Sequence, residues 1–573
     1  MSTNDKTSSA PTKTRMTGAE VLVECLVREG VDVVFAYPGG ASMPIHQALS
    51  HQPKIRTILP RHEQGGAFGA EGYGRVTGKV GVCISTSGPG ATNMITSIAD
   101  AYLDSTPLVA ITAQVMRSLI GRGAFQETDV FGMTAPIVKH SYLVTEPEEL
   151  PRIIKEAFYI ASTGRPGPVL IDMPKDVQEA VFTPDFDMEM DIPGYNPVLP
   201  VPADKLEELI PLIENARRPV IYAGGGIISA EASGDLLEFA ERSQIPVATT
   251  LMGIGAMPET HPLSLRWLGM HGAVFANNAV NEADLVIAAG ARFSDRATGN
   301  KDVYVRNCNI IHIDVDDAEI DKNVTSHLGL NGDVKEILSK LNSMLKKQQR
   351  PEWNAEIEKF KAEEAGMTAK SSAMTPYDII DTVNKKMPDD AIIVTDVGQH
   401  QMWVAQRYKF EKPRTFISSG GLGTMGFGLG AAVGAYTASR KPTVLFTGDG
   451  SFGMNLNELA TAVSCNIPVI IVIMNNGVLG MVRQWQTLFF NKHYSNTTLC
   501  RQTDFVKLAE AFGALGFRAS DTAELSEALD KAAEAKRPAV IDCKIDKDEF
   551  VLPMLPPGGS IDDIITEIRG GEI

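Results

Sequence analysis

Two stretches of this chain share one plan, and that plan leaves few folds open. Residues 79–112 read KVGVCISTSGPGATNMITSIADAYLDSTPLVAIT, and residues 441–473 read KPTVLFTGDGSFGMNLNELATAVSCNIPVIIVI. Each runs from an apolar strand through a Gly-x-Gly turn and a helix-like stretch to a proline that opens a second apolar strand. Gly88 to Pro107 is 19 positions and Gly448 to Pro468 is 20. Parallel strands need a crossover of a dozen or more residues, usually a helix. Unbroken apolar runs between turn residues suit strands buried on both faces. The expected fold is α/β, each domain a mostly parallel sheet flanked by helices. Either any two such units look alike, or two homologous domains flank a third of different character.

The chain divides accordingly. Residues 1–15 are polar, lack an apolar core and suit a flexible tail. A first domain is expected over 16–190. The proline-rich DIPGYNPVLPVPADK then suits an extended linker. A middle domain over 195–346 holds the strand candidates VIYAGGG, ADLVIAAG and NIIHIDVD. Residues 347–374 open within KKQQRPEWNAEIEKFKAEEAG (346–366), which reads as a connecting surface helix. A third domain follows over 375–550, and 551–573 forms a tail or lid.

A length of 573 residues fits about three or four domains. The net charge of −17 argues against a nucleic-acid or anionic-membrane binder. Apolar runs such as IPVIIVIM are too short to span a bilayer. Six cysteines without CxxC spacing suit reduced thiols in the cytoplasm rather than a disulfide or metal framework.

The sharpest signal lies in the third domain. GDG at 448–450 ends one expected strand, and after 24 further residues NN at 475–476 ends the next. A parallel crossover brings both ends to the carboxyl edge of the sheet, where open α/β sheets bind ligands. Asp449, Asn476 and a nearby carbonyl make half an octahedron of hard oxygens, and Mg²⁺ usually completes its shell with phosphate and water. The flanking glycines let backbone N–H groups approach a phosphate. The two strand ends together suit a metal diphosphate.

This spacing resembles the diphosphate-binding domain of thiamine diphosphate (ThDP) dependent decarboxylases and carboligases. The resemblance implies ThDP with Mg²⁺ on Asp449, Asn476 and the Val478 carbonyl. It implies cofactor contacts from Val397, Gly398, Gln399, His400, Gly423, Gly450 and Ser451, with Met425 supporting the cofactor's bend. Thiamine chemistry also needs a carboxylate against the aminopyrimidine ring as a positioned acid/base. Glu63, in RHEQ at 61–64, opens a glycine-rich helix. From the residues alone it could equally be an acid complementing the helix dipole; the resemblance makes it the carboxylate. It further implies a homodimer whose sites pair Glu63 of one chain with Asp449 of the other.

FAYPGGAS, ITAQV, AFQETD, GRPGPVLIDMPKDVQ, LGMHG, ARFSDRATG and MVRQWQ narrow the resemblance to acetohydroxyacid (acetolactate) synthase catalytic subunits. Those join pyruvate, with loss of CO2, to a second 2-keto acid in branched-chain amino-acid synthesis. By resemblance Arg296 grips the acceptor carboxylate, a task suited to a bidentate guanidinium, and Trp485 and Met481 shape its pocket. Gly40 offers an N–H near the reacting oxygen, Gln126 and Phe125 line the pocket from the partner chain, and Lys175 stands at its entrance. Structural FAD is implied in the middle domain. Its expected neighbours are Arg165, Gly224, Gly225, Gly226, Thr250, Leu268, Gly269, Met270, His271, Gly290, Arg292, Arg296, Asp314 and Asp333. Met116, Ser294 and Pro557 depart from the residues usual in that group. A dimer of dimers and a small regulatory subunit stay open. The rivals are a catabolic acetolactate synthase or other ThDP decarboxylase or oxidase, an NAD(P) dehydrogenase built on the GGG turn, and an inactive scaffold.

Overall fold

The computed structural model describes residues 14–197, 200–201, 203–300, 304–305, 308–365, 374–500 and 503–567. The expected tail at 1–15 falls almost wholly outside these residues, as do parts of the 347–374 and 551–573 segments. Among the described residues the chain builds three six-stranded sheets.

The first sheet contains β1 (Val33–Ala36), β2 (Arg56–Ile58), β3 (Gly81–Ser85), β4 (Leu108–Gln114), β5 (His140–Leu143) and β6 (Pro168–Pro174). Its helices include α1 (Glu63–Thr77) and α2 (Ile95–Leu103). The middle sheet contains β7 (Pro219–Ala223), β8 (Val247–Thr249), β9 (Ser264–Trp267), β10 (Leu285–Ala289), β11 (Asn309–Asp314) and β12 (Leu328–Asn331), and is followed by α3 (Pro351–Ala365). The third contains β13 (Ile392–Thr395), β14 (Phe416–Ile417), β15 (Thr443–Gly448), β16 (Ile470–Asn475), β17 (Leu515–Ala519) and β18 (Ala539–Lys544). Its helices include α4 (Gln399–Arg407), α5 (Phe427–Ser439) and α6 (Gly480–Phe489).

Every strand pair in these three sheets is parallel. The first sheet has the order β2-β1-β3-β4-β6-β5 and the third β14-β13-β15-β16-β18-β17. Strand for strand these are the same topology. The middle sheet, β9-β8-β7-β10-β11-β12, follows the dinucleotide-binding order instead. Central strands such as β4, β6 and β16 are buried along their whole length, because helices cover both faces of a parallel sheet.

Helix α1, EQGGAFGAEGYGRVT, has five interior glycines, each costing about 1 kcal/mol of helix propensity relative to alanine. Tertiary packing overrides that cost. Helix α5 crosses α1 backbone to backbone: a Cβ on Gly434 would overlap the Gly69 carbonyl, and one on Gly72 would overlap the Ala431 carbonyl. His62 caps the start of α1 by accepting from the Gln64 N–H (3.2 Å). Gly78, at φ +74°, ends it in the left-handed conformation that glycine favours.

Helix α3 forms within the charged stretch, but it is more than a surface connector. Trp353 and Ile357 are buried against the middle sheet's core, and Trp353 Nε1 donates to the Pro219 carbonyl (3.0 Å). The preceding Arg350 donates to the Ser243 and Ile213 carbonyls (3.0 and 2.7 Å). Phe360 packs beside them, and Glu364 accepts from the Phe275 N–H (3.0 Å). Among the described residues no helix is long and apolar enough to cross a membrane.

Candidate active site

The candidate residues collect at three places. The first is the carboxyl edge of the first sheet. Glu63, the first residue of α1, accepts through Oε2 from Asn93 Nδ2 (2.9 Å). A Cβ built on Gly90 would lie 3.3 Å from Glu63 Oε1 and 2.8 Å from Thr86 Cγ2, and one on Gly39 would press on the same threonine. Gly40 is exposed with open space beside it. Gln126 adopts φ +60°, and Gly88 backs directly onto its backbone. Phe125 beside it is 88% exposed, a large apolar ring standing in the open. Lys175 begins the short helix after β6 and lies 3.8 Å from Glu179.

The second place is the carboxyl edge of the third sheet. Strands β15 and β16 pair in register, Gly448 beside Met474, so Asp449 and Asn476 leave adjacent strand ends as the spacing requires. Asp449 is buried. Asn476 Oδ1 accepts from the Val478 N–H (3.1 Å), closing a tight turn in which Gly477 has φ +70° and nothing lies within 4 Å of the place a Cβ would take. The His400 ring packs against Gly398 and Gly448. Burial pushes its pKa down to about 3 despite a hydrogen bond to the backbone at Asp396, so the ring is neutral, and its buried Nε2 has no protein partner. Asp396, one residue before VGQH, accepts from the Gly426 and Val397 N–H groups (2.8 and 3.1 Å), binding the two glycine loops together. Gly450 faces Met425, whose Cε lies 3.9 Å from a Cβ built there.

The donor set fits a metal diphosphate. Asp449, Asn476 and the Val478 carbonyl offer hard oxygens at one edge, the buried His400 Nε2 there has no protein partner, and the room above Gly477 is open. Gly398, Gly423 and Gly477 all have positive φ, so this edge is built from backbone conformations that side chains disfavour.

The third place is a cavity of about 1380 Å³ between the three sheets. Arg165, Gly225, Gly226, Thr250, Leu268, Met270, His271, Gly290, Arg292, Arg296, Asp314 and Asp333 line it, with Val397, Gly423, Met481 and Trp485 at the third sheet's side. Gly224 and Gly269 are not in its wall. The GGG turn has a packing reason of its own, because a Cβ on Gly224 would overlap the Gly290 carbonyl and one on Gly226 would lie 2.7 Å from Gly290 Cα. Arg165 pairs with Glu319 (2.6 Å) and Asp316 (3.1 Å) across the first and middle sheets. Burial raises the Asp314 pKa to about 6 and lowers that of His271 to about 4. The Arg296 guanidinium stands 5.9 Å from the centroid of the Trp485 ring, so a cation and an aromatic wall meet in one pocket.

Glu63 does not line this cavity, whereas Gly74 on the same helix does. Eleven residues of α-helix separate them, roughly 16 Å at 1.5 Å per residue. Gly40, Phe125, Gln126 and Lys175 are likewise absent from its wall.

Sequence reasoning missed a buried latch between first and third sheets. Arg75 pairs with Asp104 and with Glu71 (2.8 Å). Asp104 accepts from the Gly420 and Gly421 N–H groups (2.8 and 2.5 Å), and Asp100 accepts from Ser419 and Thr424 hydroxyls (2.5 and 2.9 Å). The loop so held carries Gly423 and leads into Met425. The charges in AEGYGR and IADAYLD were readable, but nothing in their spacing names a loop some 320 positions away.

Three family models match the chain: "Thiamine pyrophosphate enzyme, N-terminal TPP binding domain" over residues 16–133, the central domain of the same enzymes over 206–341, and their C-terminal TPP binding domain over 396–543. Two sheets of one topology around a dinucleotide-type sheet, with the matched oxygen edge, define a thiamine pyrophosphate enzyme. Acetolactate synthase 1, chloroplastic, of Nicotiana tabacum is 47% identical over 570 residues, covering 96% of this chain and 85% of that protein. Acetolactate synthase, chloroplastic, of Arabidopsis thaliana is 47% identical over 573 residues with the same coverage. Acetolactate synthase 2, chloroplastic, of Zea mays is 46% identical, covering 96% of this chain and 89% of that protein. The chain belongs to the acetolactate synthase family.

Proposed function

We propose that this enzyme decarboxylates pyruvate and joins the remaining two-carbon unit to a second 2-keto acid, giving 2-acetolactate or 2-aceto-2-hydroxybutyrate for branched-chain amino-acid synthesis. The observation that carries the reading is the pairing of an oxygen edge at Asp449 and Asn476 with a cation–aromatic pocket at Arg296 and Trp485. Bound thiamine diphosphate supplies the electron sink for loss of CO2 and for carbon–carbon bond formation.

The residues have separate tasks. Asp449, Asn476 and the Val478 carbonyl would hold Mg²⁺, and the His400 ring, packed on Gly398 and Gly448, would wall the diphosphate end. Glu63 holds and returns the proton at the aminopyrimidine end, steadied by Asn93. Arg296 grips the acceptor carboxylate in the bidentate way a guanidinium allows. Trp485 and Met481 set the space for the acceptor's side chain; a methylene there is worth only about 1–3 kcal/mol of selectivity, so two products are expected. The Gly40 N–H stabilises the reacting oxygen.

Glu63 and the cavity lie at opposite ends of α1, and Phe125 stands exposed beside Gln126. Both features support a homodimer whose active sites take Glu63, Gln126 and Phe125 from one chain and Asp449 and Trp485 from the other. The cavity's arginines and the acids at the ends of the middle strands support a structural FAD. The six free cysteines suit a reducing compartment such as the cytoplasm; the relatives' names place those proteins in chloroplasts.

The test is product analysis of pyruvate turnover with ThDP and Mg²⁺, with and without FAD and 2-ketobutyrate. FAD-dependent acetolactate, shifting to acetohydroxybutyrate when ketobutyrate is added, is the expected result. Acetaldehyde or peroxide as the product contradicts the reading.

A further inference from the structure

A file of side-chain amides runs from the metal edge to the segment at 549–551. Asn476 Nδ2 donates to Gln399 Oε1 (3.3 Å). Gln399 Nε2 donates to Gln484 Oε1 (3.1 Å) and to the Glu549 carbonyl (2.9 Å). Gln484, fully buried on α6, exchanges two bonds with one backbone residue. Its Oε1 accepts from the Val551 N–H (2.8 Å), and its Nε2 donates to the Val551 carbonyl (3.0 Å). Beyond Val551 the segment stays fastened. His271 Nδ1 meets the Pro553 carbonyl (3.2 Å), the Leu555 N–H donates to the Met270 carbonyl (2.7 Å), and Met554 and Leu555 pack with Met270 and Trp485.

The direction of these bonds matters more than their number. An amide side chain can present either oxygen or nitrogen, but a backbone N–H can only donate and a carbonyl can only accept. Val551 therefore fixes Gln484 with Oε1 towards Gln399. That oxygen, with the Glu549 carbonyl, demands the nitrogen of Gln399. Its remaining Oε1 then demands the nitrogen of Asn476, and the Val478 N–H demands its Oδ1, so the two hold the amide the same way round with the oxygen towards the metal position. Reversed, Asn476 would point an NH2 at a cation.

We propose that Gln484 is a positioning residue for the metal site: pinned by the backbone of Val551, it works through Gln399, alongside the Val478 N–H, to hold the oxygen of the Asn476 amide towards the metal, and so couples metal binding to docking of residues 549–555. The inference rests on the reading of Asp449 and Asn476 as metal ligands.

The experiment uses the full-length protein and its Gln484→Leu and Gln484→Glu variants. It measures Mg²⁺ affinity in the presence of ThDP, and amide hydrogen exchange over 549–555 with and without Mg²⁺ and ThDP; thermal unfolding checks that each variant folds. Gln484→Leu is expected to bind Mg²⁺ about 10-fold more weakly, the scale of one lost hydrogen bond. Exchange over 549–555 should be faster in that variant, and the slowing by Mg²⁺ and ThDP expected in the parent protein should disappear. Gln484→Glu, which full burial and the facing Val551 carbonyl keep in the protonated form that has both acceptor and donor, should bind Mg²⁺ within about 3-fold of the parent at pH 6. Where the leucine variant does not fold, Gln484→Met carries the same comparison. Parent-like Mg²⁺ affinity and unchanged exchange in the folded leucine or methionine variant overturn the proposal. A parent protein that takes up neither Mg²⁺ nor ThDP overturns the underlying site reading, a result distinct from the first.

Discussion

The first and third sheets share one strand order yet present opposite chemistry at the same edge. In the first, the strand ends carry Thr86, Gly88 and the loop to Glu63, an acid steadied by a single amide. In the third they carry Asp449, Asn476, a neutral histidine and three glycines with positive φ. Topology repeats because it depends on the spacing of apolar runs and turns. Chemistry does not repeat, because it depends on the few residues that follow each strand. The comparison teaches that a duplicated scaffold can hold the two ends of one long cofactor only if the copies diverge at their carboxyl edges.

Substitutions at the two edges should separate these roles most strongly. Glu63→Gln is expected to lower turnover roughly 10²–10⁴-fold, the range of a lost general acid/base, while ThDP still binds in calorimetric titration. Asp449→Ala should instead weaken Mg²⁺ by more than the roughly 10–100-fold typical of mere outer-shell partners, with activity recovering as Mg²⁺ is raised. If both variants showed the same binding defect, the division of labour between the sheets would be wrong.

A smaller effect is expected where the two sheets meet. Gly434→Ala forces a methyl group onto the Gly69 carbonyl, and overpacking of this kind costs about 1–3 kcal/mol. It should lower the Tm, whereas Gly234→Ala, with open space around it, should not. Equal melting temperatures would mean that the α1–α5 crossing is looser than its geometry.

The smallest effect on turnover is expected from Asp172, on β6 of the first sheet. Burial raises its pKa to about 7, against bonds from the Thr112 hydroxyl and Gln114 amide (2.7 and 3.0 Å). The folded pKa exceeds the unfolded value of about 3.9. Its contribution to stability is therefore full below about pH 4 and is lost as pH rises through about 7. In denaturant titrations the gap between the parent and Asp172→Asn should change over that interval and be flat above it.

Much of this was legible in the sequence, for a physical reason. Apolar runs such as IPVIIVIM declare a buried strand, and GDG followed by NN declares two neighbouring strand ends, so the third sheet's edge could be assembled from spacing alone. The three-segment α/β plan was read in the same way. What stayed hidden were partners set by long-range packing. Asp100 and Asp104, the latter paired with Arg75, meet a loop more than 300 positions away, and Gln484 gains its role from Val551, a backbone group that no side-chain pattern reports. The GGG turn and the charged helix at 351–365 were visible but their reasons were not: the first packs against Gly290, and the second docks through Trp353.

The central claim is that one active site needs the first sheet's edge from one chain and the third sheet's edge from another. It is tested by mixing Glu63→Gln with Asp449→Ala, allowing the chains to exchange, and assaying acetolactate formation from pyruvate with ThDP and Mg²⁺. In a mixed dimer one site joins two defective edges and the other joins two intact ones. With equal amounts and random pairing, half the dimers are mixed and each has one working site, so about a quarter of parent activity should return. Activity no higher than the mean of the two separate variants, in a mixture shown to contain the mixed dimer, would contradict the account and place Glu63 and Asp449 in the site of a single chain.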